Sequence, residues 1–287
     1  MILLFNAALY SSLPPRLQAA MTRIPSALTI AGSDSGGGAG IQADLKTFAA
    51  HGVHGLSAIA ALTAQNTRGV SAVNVPPVGF LRAQIDACFD DFEIGAVKLG
   101  MLANARVIHA VADALETYQP GYVVLDPVMV ATSGAKLLED DALDALRTRL
   151  LPLASIVTPN IPEAEMLARM RIIDSATATE AMRALRTMGA QALLLKGGHL
   201  DEGDAVVDRY ADAGSEVSFM HARLPLEAHG TGCTLASAIA ANLCLGLSMP
   251  AAAQAAGDYV ERALRPGYRP ARSEIVVLDH FGAALPR

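Results

Sequence analysis

The segment His229-Gly-Thr-Gly-Cys-Thr234 opens a long apolar run. A Gly-Thr-Gly turn at a helix N-terminus points several backbone N–H groups at one place, and the macrodipole adds about half a positive charge there. Gly230, Thr231 and Gly232 are therefore expected to form an anion hole suited to a phosphoryl group in transfer. Cys233 falls in the first helical turn, where thiol pKa values drop. It is read as the acceptor of a proton from a substrate hydroxyl. Cys88 and Cys244 are read as small buried residues.

Other segments carry polar groups just beyond apolar runs. Val123-Val-Leu-Asp126 places a carboxylate after a buried strand. Thr158-Pro-Asn160-Ile-Pro-Glu163 places an amide and a carboxylate where a strand gives way to a helix. Oxygen ligands held in this way suit Mg2+, which keeps several waters and takes few protein groups. Lys196-Gly-Gly-His199 offers a cation and a pliant backbone to a phosphate. Gln65, Asn66 and Thr67 cluster two amides and a hydroxyl that either read the edge of a small heterocycle or cap a loop. Gly32-Ser-Asp-Ser-Gly-Gly-Gly-Ala-Gly40 is a glycine-rich strand-to-helix turn, but it matches neither GxGxxG nor a P-loop. Asp44 follows it and is equally simply a complement to a helix dipole. His51 and His54 have no third metal partner in view and are read as solvent-facing.

These segments need elements to hold them. Strands are expected at Ala27–Ala31, Leu56–Ala61, Val70–Val75, Ala96–Leu99, Val123–Leu125, Ser155–Thr158 and Ala192–Lys196. Helices are expected at Gln42–Ala50, Gly79–Asp91, Asn104–Thr117, Asp140–Leu150, Pro162–Arg169, Thr179–Met188, Thr231–Leu245 and Pro250–Leu264. Asn104 suits an N-cap and Pro162 a first helical turn. Continuous apolar strands alternating with helices predict a doubly wound, mostly parallel sheet. Ligands in such sheets sit at the carboxyl ends of the strands, where the candidate residues cluster.

The chain has 287 residues, 52% of them hydrophobic and 17% charged, with a net charge of −6. This excludes intrinsic disorder and supports a large core. The negative balance and the 5% aromatic content argue against a nucleic-acid face. Three cysteines without CxxC spacing argue against a disulfide framework and make a reducing cytoplasm the default. No run approaches the ~20 apolar residues of a membrane span. Length alone suggests two domains, but no linker or repeat divides the chain, so one domain over residues 26–287 is expected. Residues 1–25 are read as an extension, disordered or arising from an upstream start, with Met21 as the alternative start.

Taken together, these segments resemble the ribokinase-like superfamily and, within it, the bacterial hydroxymethylpyrimidine/phosphomethylpyrimidine kinases of thiamine biosynthesis. The resemblance rests on ALTIAGSD, GGAGIQADLKTF, ALTAQNT, VKLGML, VVLDPVMVATSG, LLPLASIVTPNIPEAE, LLLKGGH and HGTGCTLASAIAA. They run in family order between about residues 27 and 264. It implies an α/β ribokinase-like fold, a central mainly parallel β-sheet flanked by helices on both faces. It also implies phosphorylation of 4-amino-5-hydroxymethyl-2-methylpyrimidine, and then of its monophosphate, by ATP with Mg2+.

Carried onto this sequence, the resemblance implies pyrimidine contacts at Gly32, Asp44, Gln65, Met101 and Val128. It assigns nucleotide and phosphate contacts to Lys196, Asn160 and Glu163, and Mg2+ to Asp126 and Glu163 through water. Cys233 stands where most of the superfamily has an aspartate base. A homodimer is also implied, with small-molecule partners and neither nucleic acid nor membrane. One departure is visible. The family usually reads Ser-Asp-Pro-Ser-Gly-Gly-Ala-Gly, whereas here Ser35 and Gly36 replace the proline and serine. The turn is expected to be looser for it. The alternatives are a pyridoxal kinase of the same superfamily and a non-catalytic pyrimidine-binding regulatory module.

Overall fold

The computed structural model describes residues 23–130, 134, 137–139 and 141–284. Residues 1–22, and with them the alternative start at Met21, lie outside the described residues.

A nine-stranded sheet runs in the order β3-β2-β1-β4-β5-β6-β7-β8-β9. Its strands are β1 Ser26–Asp34, β2 His54–Asn66, β3 Gly69–Asn74, β4 Ile94–Leu99, β5 Tyr122–Leu125, β6 Ile156–Val157, β7 Leu193–Leu195, β8 Ala205–Ala211 and β9 Glu216–Ala222. From β2 through β1, β4, β5 and β6 to β7 the pairing is parallel; β3, β8 and β9 pair antiparallel. Antiparallel strands therefore confine the parallel core on both sides.

Period-2 alternation divides the core between the two faces. Leu28, Ile30, Val97, Leu99, Val123 and Leu125 pack on one face with helices α2 Val78–Asp91, α3 Ala105–Tyr118, α5 Ile161–Ala168 and α6 Ser175–Thr187. Ala27, Ala96, Val124, Ile156 and Leu194 pack on the other with α1 Gly40–His51, α7 Thr231–Cys244 and α8 Met249–Leu264. Both faces are covered, which is why these strands read as unbroken apolar runs.

The expected elements are present, with corrections. A helix expected from Asp140 begins instead at Ala142 as α4 Ala142–Ala145; Asp140 itself lies outside the described residues. It continues as a π turn over Leu146–Leu150 and a 3-10 turn over Leu151–Leu153. Pro152 has no N–H to extend the helix. Helix α6 starts earlier than expected, because Asp174 and Thr177 form a capping box. The β8–β9 hairpin is not among the expected strands; Asp212 Oδ1 closes its turn by accepting from Gly214 N and Ser215 N. A two-strand parallel sheet pairs β10 Ala228–His229 with β11 Val276–Val277. Just before β1, Pro25 O accepts from His54 N at 2.8 Å.

Candidate active site

One cavity of about 980 Å3 opens at the carboxyl ends of the strands. It lies across the place where the strand order reverses, between β1 and β4. Of the residues singled out from the sequence, Gly32, Gln65, Met101, Val128, Asp126, Asn160, Glu163, Lys196, Gly230, Thr231, Gly232 and Cys233 all line it.

Asp44 does not. It is fully buried inside α1, where its carboxylate accepts from Thr29 Oγ1 (2.6 Å), Ser237 Oγ (2.7 Å) and Lys98 Nζ (2.9 Å). A carboxylate saturated in this way has no free face for a pyrimidine amino group, which corrects the reading of Asp44 as a substrate contact. It does not complement the helix dipole either, because α1 begins at Gly40 and places it past the first turn.

The glycine loop is not loose. Asp34 Oδ1 accepts from Gly36 N (2.7 Å), and its Oδ2 accepts from Gly38 N (3.0 Å) and Ala39 N (2.9 Å). Ser35, at the family's proline position, donates its hydroxyl to Gln65 O and accepts from Gln65 N, both at 2.8 Å. Two hydrogen bonds to β2 replace the stiffness of a proline ring, so the expected looseness is corrected.

Backbone geometry then fixes the anion turn. Gly230 has φ +89°, and a Cβ there would stand 1.9 Å from Gly38 O. Only glycine fits both constraints. A Cβ at Gly232 would lie 3.1 Å from Lys196 Nζ and 3.7 Å from Asp126 Oδ2. The turn thus stands beside a buried cation and carboxylate. At the other end, a Cβ on Gly32 would lie 2.9 Å from Met101 Sδ. This close approach of the β1 and β4 ends shapes the Gly32–Met101 wall.

Asp126 and Lys196 form an ion pair at 2.9 Å, with Glu163 Oε2 3.8 Å from the same ammonium. Asn160 caps α5: its Oδ1 accepts from Glu163 N, and Glu163 Oε2 accepts from Asn160 N. Burial pushes Glu163 up to about 7, Asp126 adds to the rise, and Lys196 opposes it. Among the described residues no three His, Cys, Asp or Glu side chains converge on a metal position. Two carboxylates beside one lysine fit a cation that brings phosphate and water ligands with it, rather than a resident ion.

Cys233 departs from expectation. Burial pushes its thiol up to about 11; Lys98 opposes this, while Asp44 and Asp126 reinforce it. Lost water and two nearby carboxylates outweigh the roughly half charge of the helix end. The thiol holds its proton at neutral pH. His51 is likewise not simply solvent-facing: Nδ1 lies 2.8 Å from Thr47 O, and the ring packs edge-on against Tyr259.

Lys98, Asp34 and His229 also line the cavity, and the sequence reading assigns none of them a role. Lys98 has no exposed surface and lines the cavity from β4; its signal is a lysine inside an apolar strand. Asp34 is visible as the acid of the glycine loop. His229 precedes the anion turn, and its contacts come from strands remote in sequence.

The sequence profile of the family described as Phosphomethylpyrimidine kinase matches residues 34–277. A hydroxymethylpyrimidine/phosphomethylpyrimidine kinase of Synechococcus elongatus is 50% identical over 246 residues, covering 84% of this chain and 92% of that protein. A thiamine biosynthesis bifunctional protein of Geobacter sulfurreducens is 50% identical over 241 residues; the match covers 84% of this chain and 49% of that longer protein. Among solved structures, the ADP complex of Bacillus subtilis pyridoxal kinase superposes with a TM-score of 0.84 at 32% identity, covering 92% of this chain and 100% of that one. The ribokinase-like architecture and a profile match across most of the chain agree: this chain belongs to the phosphomethylpyrimidine kinase family.

Proposed function

We propose that the chain transfers the γ-phosphoryl group of ATP to the hydroxymethyl oxygen of 4-amino-5-hydroxymethyl-2-methylpyrimidine, and then a second one to the monophosphate, in thiamine biosynthesis. The observation that carries this is the continuity of the cavity at the strand ends. It joins the Gln65–Met101 wall to the Gly230–Cys233 turn and to the Asp126–Glu163–Lys196 cluster, and so offers space for a heterocycle and a nucleotide end to end.

Each end has a role. Gln65, Met101, Val128 and Gly32 hold the flat ring, the amide reading its polar edge. The N–H groups of Gly230, Thr231 and Gly232 receive the charge that develops on the transferred group. Lys196 faces the phosphates, and Asn160 with Glu163 fixes the start of α5 beside them. Mg2+ arriving with ATP would offset phosphate charge, and Asp126 and Glu163, the latter through water, are the groups that would hold it. In the first step the alcohol oxygen bonds to the γ-phosphorus, the bond to the β-phosphate bridging oxygen breaks, and the alcohol proton leaves. Cys233 would take that proton in its thiolate form, the minor form at neutral pH. In the second step the attacking phosphate oxygen is already anionic.

Two further readings belong here. A homodimer is carried over from the family; the edge strand β3 and the neighbouring β2 expose Val73 and Leu62 and are the face that would pair. A cytoplasmic setting is carried over too; among the described residues no helix is long and apolar enough to cross a membrane.

The decisive assay offers ATP with the pyrimidine alcohol, its monophosphate or pyridoxal. Turnover of both pyrimidines is expected. Turnover of pyridoxal alone would overturn the reading in favour of a pyridoxal kinase, and pyrimidine binding without ATP turnover in favour of a regulatory module.

A further inference from the structure

We propose that His229 is a positioning residue for substrate selection: its Nε2–H fixes which way the Gln65 amide faces, and so which heterocycle edge the cavity reads. This rests on the function proposed above.

His229 is buried at the cavity wall directly before the anion turn. Its Nε2 lies 3.0 Å from Asp34 Oδ2 and 3.1 Å from the end of the Gln65 amide that the structure places as Nε2. The other end, placed as Oε1, accepts from Thr63 Oγ1 at 3.0 Å, and the proposal turns this amide over. Nitrogen and oxygen are nearly the same size, so hydrogen counting decides which is which.

The count starts at Asp34. Its carboxyl already accepts three backbone N–H groups. Burial pushes its pKa up, but His229 and the N–H groups of Ala39 and Gly36 outweigh this and hold it below the usual carboxylate value. A carboxylate only accepts, so His229 Nε2 must carry hydrogen, whether the ring is neutral or protonated. The amide end facing Nε2–H is then the oxygen; an NH2 group there would set two donors against each other. The NH2 group is left at Thr63 Oγ1. The one hydrogen of Thr63 goes to Ser33 O at 2.9 Å, which leaves Oγ1 free to accept. The one Nε2–H is shared between Asp34 Oδ2 and the amide oxygen, and no two donors face each other. The reverse orientation gives Thr63 one hydrogen for two acceptors.

The amide keeps one N–H and one oxygen lone pair for a ligand in the cavity. A ring nitrogen beside an exocyclic amino group matches both. A ring with a carbonyl oxygen in place of the amino group turns an acceptor towards the Gln65 oxygen, which weakens binding by roughly tenfold or more. Without His229 the amide turns freely and satisfies either edge.

The test uses the full chain in two arms. Long-range 1H–15N NMR at neutral pH reads which ring nitrogen of His229 carries hydrogen. Hydrogen on Nε2 is expected, and a bare Nε2 overturns the proposal. Calorimetry then compares the aminopyrimidine alcohol with its 4-oxo counterpart, in wild type and in His229→Leu, with ATP affinity as the control for folding. Wild type should favour the amino compound by roughly tenfold or more, and His229→Leu should bring the two close to equal. Unchanged selectivity in a variant that still binds ATP overturns the proposal. If the variant does not fold, the NMR arm decides. A wild type that shows Nε2–H but binds neither pyrimidine overturns the proposed function, and the selectivity with it, while the hydrogen-bond chain stands.

Discussion

Lys98 Nζ lies 2.9 Å from both carboxylate oxygens of Asp44, and neither side chain has exposed surface. Burial alone would discharge Lys98; the Asp44 carboxylate outweighs it and holds the ammonium protonated. The pair lies beside the cavity floor near Cys233. Removing one partner strands a buried charge, at a typical cost of about 3–5 kcal/mol. Lys98→Met should lose stability on that scale in chemical unfolding. Lys98→Met combined with Asp44→Asn should recover part of it, because no charge is left behind and an amide oxygen still accepts from Thr29 and Ser237. A single variant as stable as wild type would show that the pair contributes nothing.

The raised thiol of Cys233 makes the two phosphorylations separable by pH. If Cys233 is the base, the first step should rise with pH, by up to tenfold per unit, until the thiol ionises near 11. The second step should stay flatter. Cys233→Ala should slow the first step by ~10²–10⁴-fold and the second far less. Equal losses in single-turnover rates would assign Cys233 to packing of the Gly230–Gly232 turn instead.

Gln65→Leu should weaken pyrimidine binding at least about tenfold, since a buried polar partner lost is worth roughly 1–3 kcal/mol. ATP affinity should hold. Equilibrium titration of both ligands checks this, and an unchanged pyrimidine Kd would remove Gln65 from the site.

Glu163 gives a pH signature in stability. Its folded pKa, about 7, lies above the ordinary 4.5. A raised carboxyl stabilises the fold fully below its unfolded pKa and loses that contribution as pH rises through the folded value. Glu163→Gln keeps an oxygen to cap Asn160 N but carries no charge. Its melting temperature should therefore gain on wild type between pH 5 and pH 8. Added Mg2+ with nucleotide should narrow the gap by stabilising the carboxylate form. A gap independent of pH would show that the carboxyl titrates normally.

A chain starting at Met21 should match the full chain in melting temperature and turnover. It keeps Pro25, whose carbonyl joins the sheet, and the exposed Arg23–Glu93 pair, which contributes little. A clear loss in either measurement would show that the removed residues take part in the fold.

Much of this was legible in the sequence because it is local. Apolar runs such as Leu28–Ala31 and Val123–Leu125 are strands because both sheet faces are covered. Asn104 caps α3 as its type suggests, accepting from Val107 N, and Gly230 marks a helix start where no side chain fits. The strand-end rule gathered Asp126, Asn160, Glu163 and Lys196 at one place, and the helix start after the Gly-Thr-Gly turn added Cys233. Tertiary structure decided what burial and distant partners control. Asp44 turned inward because Thr29, Ser237 and Lys98, up to 193 residues away, saturate its oxygens. The Cys233 thiol rose because two carboxylates and lost water outweigh a helix end. Ser35 tightened a loop that had lost its proline because β2 lies alongside. His229 reached Asp34 and Gln65 because β1 and β2 bring them there. Spacing along a chain fixes which groups share an element; desolvation and through-space charge depend on what the other elements place around them.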